Sequence, residues 1–282
     1  MTVPGADGAT VPVVVVPCYN EARRLDERAF TDLAATGAVR LLFVDDGSTD
    51  ATAAVLARLA QASAGVEVFS LDHNAGKAEA VRRGMLVAIR GGAVTVGYYD
   101  ADLATPPGEL VRLATALGTD PTLTGVLGCR VARMGSAIER HALRHYLGRT
   151  YATVASWALG ITVYDTQCGA KLFRVSDALV GALAEPFRSS WAFDVELLDR
   201  LVHGTAGTDP VPTTAFLEVP LVAWHDVRGS KLSVHAAAAA LRELLVLGLR
   251  RRRGAPRHQA DDGGSATVMV PRLPGRGAAP RA

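Results

Sequence analysis

Cysteine, lysine and long apolar runs are all scarce in this chain of 282 residues. The three cysteines, Cys18, Cys129 and Cys168, are too few and too scattered for a disulfide framework or a structural zinc site, which favours a reducing, cytoplasmic location. No uninterrupted apolar run approaches the roughly 20 residues that span a membrane, and residues 1–11 are too short and polar for a signal peptide or anchor. We therefore expect a cytoplasmic protein that contacts a membrane only peripherally.

Excess charge is also largely missing from the main part of the chain. The formal net charge is +2, but residues 250–282 hold eight Arg against two Asp, a net of +6 that leaves −4 for the other 249 residues. The basic balance therefore belongs to the tail, and it predicts no nucleic-acid surface on the body of the protein. From residue 254 onward the chain is mainly Gly, Pro, Ala and Arg, a composition that predicts disorder.

The remaining sequence alternates short apolar runs with helical patterns. Residues 11–16, 41–44, 66–70 and 95–99 predict buried strands, and hydrophobic residues make up 49% of the chain, enough for one large core. We expect a first helix from about residue 21 with Asn20 as its N-cap. Ser48, Thr49 or Asp50 should cap a second helix ending near residue 62, and a third helix should cover 77–90. This alternation predicts an α/β fold with a mostly parallel central sheet flanked by helices.

Four polar clusters fall at or near one end of the predicted elements. They are residues 17–21, 45–48, 74–77 and 100–102. Ligands of open parallel sheets bind outside the carboxyl ends of the strands, where these clusters would meet. The sequence therefore predicts one binding site at this edge of the sheet.

A pair of carboxylates, Asp100 and Asp102, follows the fourth strand directly. Residues two apart in a strand share a face, so the two groups repel each other unless a cation lies between them. Hard oxygen ligands suit Mg²⁺ or Mn²⁺, and a divalent ion could bring a diphosphate with it. By itself, such a pair of carboxylates more often belongs to a solvated turn. The other three polar clusters make a metal site the favoured interpretation here.

Several segments resemble a known enzyme family. VVVVPCYNEARRL, LLFVDDGSTDAT, NAGKAEAVRRGM and YYDADLATP resemble the signature segments of the family 2 inverting glycosyltransferases, which have the GT-A fold. YDTQCGAKLF, SSWAFDVELL and GSKLS resemble a narrower branch, the dolichyl-phosphate or polyprenyl-phosphate β-glucosyltransferases. The resemblance extends over residues 11–235. It implies transfer of a hexose from a nucleotide sugar to a lipid phosphate.

The resemblance implies a role for each polar cluster on the donor side. Pro17, Tyr19, Glu21 and Asp46 match positions that hold the nucleotide base and ribose, and an Asp46 carboxylate that accepts from a uracil N–H favours a UDP-sugar. Lys77 would approach the diphosphate together with the N-terminal amides of its helix. Asp102 would bind Mg²⁺ or Mn²⁺, with Asp100 on the metal or the sugar. Ala104 stands where mannosyl relatives often carry Gln, which favours glucose.

The acceptor side changes the chemistry that is required. A phosphate monoester is mostly dianionic near neutral pH and attacks without a general base, so it needs cations to hold it in line. By resemblance, the candidate cations are Arg130, Arg133, Lys171, Arg228 and Lys231. We expect Lys171 and Lys231 to act in catalysis as well as in binding.

The residues leave open a second kind of acceptor, and that alternative depends on Asp194. An enzyme of the same fold acting on a soluble hydroxyl acceptor would use Asp194 as its general base, whereas Asp194 and Glu196 could also orient substrate or cap a helix. A module that binds nucleotide sugars without catalysis is disfavoured, because metal and acceptor motifs occur together. A dinucleotide-binding protein is disfavoured because no G-x-G-x-x-G follows the first strand. The sugar epimer and the oligomeric state stay open.

Two segments suggest contact with the cytosolic face of a membrane. Apolar residues recur at helical spacing over 143–161, and a second amphipathic stretch over 236–253 ends in Arg250–Arg253. The stretch over 143–161 could equally pack on the body. The predicted organisation is an extension at 1–10, a transferase domain at 11–235, a basic helix at 236–253 and a disordered tail at 254–282.

Overall fold

The computed structural model describes residues 11–131, 134, 137–138, 142–225, 242, 244–246 and 248–249, with the backbone alone over 142–150. Helices and strands alternate through most of this length. The strands are β1 Val13–Cys18, β2 Arg40–Asp45, β3 Val66–Ser70, β4 Thr95–Tyr99, β5 Gly125–Cys129, β6 Ala137–Ile138, β7 Ala170–Arg174, β8 Phe216–Pro220 and β9 Ala223–Trp224. The helices are α1 Glu27–Ala35, α2 Thr52–Ala62, α3 Lys77–Arg90, α4 Pro107–Thr119, α5 Ala142–Leu159, α6 Asp177–Ala184 and α7 Phe193–His203.

Seven of these strands form one sheet in the order β3-β2-β1-β4-β7-β5-β8. The pairs from β3 to β4 are parallel, as is β5 with β8, while β7 runs antiparallel to both β4 and β5. The short β6 and β9 pair separately. The predicted mostly parallel sheet flanked by helices is confirmed.

Helices cover both faces of the sheet, which explains why the central strand β1 is a continuous apolar run. On one face, Val15 and Tyr98 pack with Met85 of α3 and Leu197 of α7. On the other face, β1 and β2 pack against α1 and α4. Strands buried on both sides lose the alternation of half-buried strands and become continuous apolar runs, as in residues 13–16.

The first helix begins later than expected, so the prediction that it starts near residue 21 with Asn20 as N-cap is wrong. The chain turns after Glu21, and α1 begins at Glu27 with the Asp26 side chain accepting the N–H of Ala29 at 3.0 Å. The Asn20 side chain instead accepts the N–H of Thr49 at 2.9 Å. Asn20 itself has a φ of 54°, a left-handed conformation that asparagine tolerates.

The second helix begins at Thr52 with Ala51 as its N-cap, so none of the predicted residues Ser48, Thr49 and Asp50 is the N-cap. Asp50 accepts the N–H of Thr52 at 2.9 Å, so of the three predicted residues it is the one that reaches the helix. The Ser48 hydroxyl accepts from the backbone of Asn20 instead. Helix α3 and strands β3 and β4 have the predicted bounds.

Helix α5 covers most of the predicted helical stripe, and its inner side packs on the body. Ala155 and Leu159 are buried, whereas Trp157 is 39% exposed. A Cβ placed on Gly248 would lie 2.7 Å from the Trp157 ring, so the chain at Gly248 lies directly on α5. Most of the predicted helix 236–253 lies outside the described residues, as does the predicted tail. Among the described helices, none is long and apolar enough to cross a bilayer.

Candidate active site

A cavity of about 460 Å³ opens at the carboxyl ends of β1, β2 and β4, beside the starts of α3 and α7. It brings together nine of the residues that the sequence predicts for the site. They are Pro17, Tyr19, Glu21, Asp46, Lys77, Asp100, Asp102, Arg130 and Asp194. The four polar clusters therefore do meet at one edge of the sheet.

Asp46 fixes the loop that leads into α3. Its two carboxylate oxygens accept the backbone N–H groups of Ala75 at 2.7 Å and of Gly76 at 2.9 Å. Burial raises the pKa of Asp46, and these two N–H groups oppose that shift. Gly47 allows the loops to meet, because a Cβ there would lie 2.4 Å from the carbonyl carbon of His73. Asp46 thus sets where Lys77 begins its helix.

The predicted metal ligands lie next to a lysine. Lys77 Nζ is 2.5 Å from Asp100 Oδ1, and Asp102 accepts the N–H of Ala104 at 3.1 Å. Burial and the charge of Asp100 raise the pKa of Asp102. Burial works to lower the pKa of Lys77, but Asp100 and Asp194 outweigh it and raise that pKa. The cavity therefore concentrates acidic charge with a single lysine facing it, among the side chains that line it.

The chemistry of the two carboxylates fits a magnesium or manganese ion that brings further ligands. In the described part of the chain, no group of three or more His, Cys, Asp or Glu side chains comes together to hold a metal. Asp100 and Asp102 provide hard oxygen donors, and both line the cavity. A metal at this pair would complete its coordination with oxygens from a bound diphosphate or from water.

Gly169 presses directly on Asp100. Asp100 donates its backbone N–H to the Gly169 carbonyl at 2.9 Å, and a Cβ at position 169 would lie 2.1 Å from Asp100 Oδ2. No side chain fits between these two strand ends. The glycine of the DTQCG segment is therefore what allows the Asp100 carboxylate its place in the cavity.

Lys171 does not lie where the sequence predicts it. The resemblance predicts that it binds the acceptor phosphate, but its side chain is fully buried, and it does not line the cavity. Its Nζ donates to Asp194 Oδ1 at 3.0 Å and to the Cys168 carbonyl at 2.5 Å. In this structure Lys171 therefore does not face the cavity in which a phosphate would bind, because its strand lies in the middle of the sheet and its side chain is buried.

Burial acts on both members of the Lys171–Asp194 pair. It lowers the pKa of Lys171 to about 8, and it raises the pKa of Asp194 to about 8 against the opposing charge of Lys77. Glu196, two residues further on, has a structural role: it accepts the N–H groups of Arg188 and Ser189 and binds Arg200. Of the two acids in the WAFDVELL segment, Asp194 alone lines the cavity.

Arg130 lines the cavity, but its guanidinium already forms an ion pair with Asp165. Its guanidinium donates to both oxygens of Asp165, from Nε at 2.6 Å and from Nη2 at 2.8 Å, and it lies 5.4 Å from the centre of the Trp224 ring. Burial disfavours the charged forms of both Arg130 and Asp165, yet the charge of Arg130 lowers the pKa of Asp165 to about 2. The other predicted phosphate-binding residues, Arg133, Arg228 and Lys231, lie outside the described residues.

Some residues in the cavity were missed by the sequence argument. Arg24 binds both oxygens of Glu21, at 2.8 Å and 2.6 Å. The cavity wall also includes Gln167, Ser190, Trp191 and Phe193. All of them stand inside segments that carry the family resemblance. The motif strings contained the signal, but Gln167, Ser190, Trp191 and Phe193 are uncharged and give no charge pattern to single them out, and Arg24 is one of many arginines in the chain.

Comparison with known proteins agrees with this geometry. The family model described as glycosyl transferase family 2 matches residues 13–179. The chain belongs to glycosyl transferase family 2. It is therefore a glycosyltransferase, as the motifs predicted.

Similar proteins act on lipid phosphates according to their names. The dolichyl-phosphate beta-glucosyltransferase of Drosophila melanogaster is 32% identical over 241 residues, 78% of this chain and 68% of that protein. Its namesake from Saccharomyces cerevisiae is 28% identical and covers 83% of this chain and 72% of its own length. The polyprenol monophosphomannose synthase of Mycolicibacterium smegmatis is 29% identical over 74% of this chain and 81% of that protein.

Solved structures confirm the GT-A fold. Glucosyl-3-phosphoglycerate synthase from Mycobacterium tuberculosis, in complex with Mn²⁺, UDP and glucosyl-3-phosphoglycerate, has a TM-score of 0.61 at 21% identity, covering 88% of this chain and 81% of that one. A mannosyltransferase from Pyrobaculum calidifontis, in complex with GDP-Man and Mn²⁺, has a TM-score of 0.55 at 19% identity; the match covers 88% of this chain and 65% of that one. At these identities the likeness establishes the fold alone.

Proposed function

We propose that this glycosyltransferase transfers glucose from UDP-glucose to a polyprenyl phosphate, with inversion of configuration at C1 of the sugar. The observation that carries the proposal is the shared cavity, where the Asp100–Asp102 pair and Lys77 face the same space as Tyr19 and Asp46. The names of the relatives, which combine dolichyl or polyprenol phosphate with glucose or mannose, support the acceptor class.

The donor would lie along the ends of β1, β2 and β4. Pro17, Tyr19 and Glu21 line the side of the cavity proposed for base and ribose. Asp46 already accepts two backbone N–H groups, but a carboxylate has about four acceptor positions, which leaves room for a uracil N–H. Lys77 and the first amides of α3 would bind the diphosphate.

Asp100 and Asp102 would hold a divalent metal ion on the diphosphate. When bound, such an ion neutralises the charge that builds up on the departing UDP. The chain's own residues keep the pair in place for this: Gly169 contacts Asp100, and the backbone of Ala104 donates to Asp102. Lys77 offers a second positive charge at the same position.

A phosphate acceptor would attack the sugar in a single displacement, which inverts the configuration. Since a phosphate dianion is already a nucleophile, the site needs cations rather than a base. Among the cations proposed to bind the acceptor phosphate, Arg130 is the one within the described residues that lines the cavity. Its contact with Asp165 fixes the orientation of its guanidinium. Arg133, Arg228 and Lys231 stay as proposed partners of the phosphate.

A hydroxyl acceptor is the second candidate, and Asp194 is the observation that favours it. Asp194 lines the cavity, and its pKa is raised to about 8, in the range of a general base that works near neutral pH. Against this role, Asp194 Oδ1 already accepts from the buried Lys171. The lipid phosphate is therefore the better supported acceptor.

An apolar face beside α5 supports peripheral membrane contact. Trp157 is 39% exposed, and Leu245 and Leu249 are 42% and 50% exposed, while the glycine at 248 packs against Trp157. In the sequence, Arg250–Arg253 follow Leu249 directly. Apolar side chains next to basic ones suit the surface of an anionic bilayer, where a polyprenyl phosphate would be found.

A donor screen tests the proposed function. The protein is incubated with a short polyprenyl phosphate, Mg²⁺ or Mn²⁺, and one radiolabelled nucleotide sugar at a time, and the lipid is then extracted into organic solvent. We expect label from UDP-glucose in the organic phase, and much less from GDP-mannose or UDP-N-acetylglucosamine. Preferential transfer from GDP-mannose would overturn the donor assignment, and no extractable label from any donor would overturn the acceptor.

A further inference from the structure

Lys171 is a charged residue in the middle of the sheet. It lies on β7, opposite Tyr98 of β4 and Leu127 of β5, and its side chain has no exposed surface. Its Nζ contacts Asp194 Oδ1 at 3.0 Å, donates to the Cys168 carbonyl and lies 5.1 Å from the centre of the Tyr98 ring. Asp194, by contrast, lies at the wall of the cavity.

Stability does not explain why a lysine occupies this place. Removing two charges from water costs a great deal, and an apolar pair of similar volume is often as stable as a buried ion pair or more stable. Breaking such a pair on one side only is what destabilises a protein, because the remaining charge is buried alone. Replacing both Lys171 and Asp194 by apolar residues is therefore expected to preserve stability, whereas changing one of them alone is expected to destabilise the fold.

The charges alternate from the core toward the proposed metal pair. Lys171 contacts Asp194, Asp194 and Lys77 each favour the other's charged form, and Lys77 contacts Asp100. Asp194 Oδ1 is committed to Lys171, so a ligand in the cavity meets this carboxylate through its other oxygen. A diphosphate offers this oxygen only acceptor atoms and cannot donate a hydrogen bond to it. The hydroxyl groups of the sugar in a nucleotide sugar can donate one.

We propose that Lys171 is a positioning residue that fixes Asp194 so that its second oxygen accepts a hydrogen bond from a hydroxyl group of the donor sugar. This inference rests on the proposed nucleotide-sugar donor, but not on the lipid acceptor. It assigns the buried lysine a role through Asp194, in place of the direct contact with the acceptor phosphate that the sequence suggested.

The test compares Lys171→Met, Asp194→Asn and the double variant Lys171→Met/Asp194→Asn. We measure the melting temperature, the Kd of UDP, and the release of UDP from saturating UDP-glucose without any acceptor, with GDP-mannose run in parallel. We expect Lys171→Met to lower the melting temperature and the double variant to recover most of it. In all three variants, the rate of UDP release should stay at least about 10-fold below the wild-type rate, while the Kd of UDP should stay within about 2-fold of the wild-type value.

Arg174→Met is the matched control, since Arg174 is a cation on the same strand that binds only the carbonyls of Leu117, Leu123 and Asp120 among the described residues. It should lower stability without slowing UDP release. Recovery of UDP release together with stability in the double variant would overturn the inference and leave a purely structural pair. Failure of the wild type to label polyprenyl phosphate would instead refute the proposed acceptor, while the UDP-release comparison would still decide the role of Lys171.

Discussion

Lys77, the first residue of α3, and Asp100, the first residue after β4, are in contact: Nζ lies 2.5 Å from Oδ1. Two carboxylates share this one lysine: burial and the charge of Asp100 raise the pKa of Asp102, and Lys77 only opposes that shift. A cation that enters beside Asp102 therefore meets an unbalanced negative charge. This arrangement suits a metal ion that arrives with a diphosphate, because Lys77 can bind the same diphosphate.

The first prediction concerns that carboxylate pair. Asp102→Asn should lower turnover at least about 10²-fold, on the order of 3 kcal/mol of barrier, because the amide binds a divalent ion far more weakly than the carboxylate. Steady-state kinetics with UDP-glucose would measure the loss, and Asp209→Asn, at an exposed loop position, should change nothing. EDTA should abolish wild-type activity and Mn²⁺ or Mg²⁺ should restore it; full activity in EDTA would contradict the metal assignment.

The second prediction concerns the contact between Gly169 and Asp100. Gly169→Ala places a methyl group within the space of the Asp100 carboxylate and should displace it by about 1 Å, which typically costs about 10²-fold in rate. Gly118→Ala is the matched control, because a Cβ at that position in α4 meets nothing within 4 Å and alanine favours helix. Kinetics and thermal melts of both variants would check this. Equal turnover in the two variants would mean that the position of Asp100 is unimportant.

The third prediction concerns stability at acid pH. Arg130 holds the pKa of Asp165 at about 2 in the folded protein, below the ordinary value of 3.8, so the folded state favours the ionised carboxylate. The contribution is complete above about pH 4 and is lost as the pH falls toward 2, a change of roughly 2 kcal/mol. Urea unfolding at pH 7, 4 and 2.5 should show this loss in the wild type and not in Asp165→Asn. Parallel acid curves for the two proteins would contradict it.

The fourth prediction concerns the C-terminal segment, which lies outside the described residues. Deleting residues 254–282 should leave the melting temperature and turnover nearly unchanged, because the composition of this segment offers little to bury. Deleting 250–282 also removes Arg250–Arg253 and should weaken sedimentation with anionic liposomes, at about 1 kcal/mol per arginine near the surface. Equal liposome binding by the two truncated proteins would remove the case for a basic membrane contact.

The sequence predicts four of the seven strands of the sheet, β1 to β4, because these are short apolar runs followed by polar clusters. Strands β3 and β4 and helix α3 have the expected bounds, and the acids after β2 and β4 do line one cavity. The first helix was placed too early because Asn20 and Glu21 have the residue types of a helix start. In the structure, Asn20 instead binds Thr49, a contact 29 positions away that local pattern cannot show.

The error at Lys171 has a different cause. A lysine inside a motif suggests an exposed cation, since isolated charges are rarely buried. Burial here depends on a partner, Asp194, that lies 23 positions away on α7. The antiparallel placement of β7 between β4 and β5 decides which side of the strand faces that partner. Neither relationship is contained in the spacing of the residues.

The most direct measurement of the central claim compares two acceptors that differ only in the phosphate. The protein is given radiolabelled UDP-glucose with either a short polyprenyl phosphate or the corresponding polyprenol, and the label in the organic phase is counted over time. The account predicts rapid labelling of the phosphate, at least about 10²-fold faster than labelling of the alcohol, because a phosphate dianion attacks without a base, whereas an alcohol needs one and Asp194 is already engaged by Lys171. Faster labelling of the polyprenol, or of a soluble alcohol added in its place, would contradict the lipid-phosphate assignment.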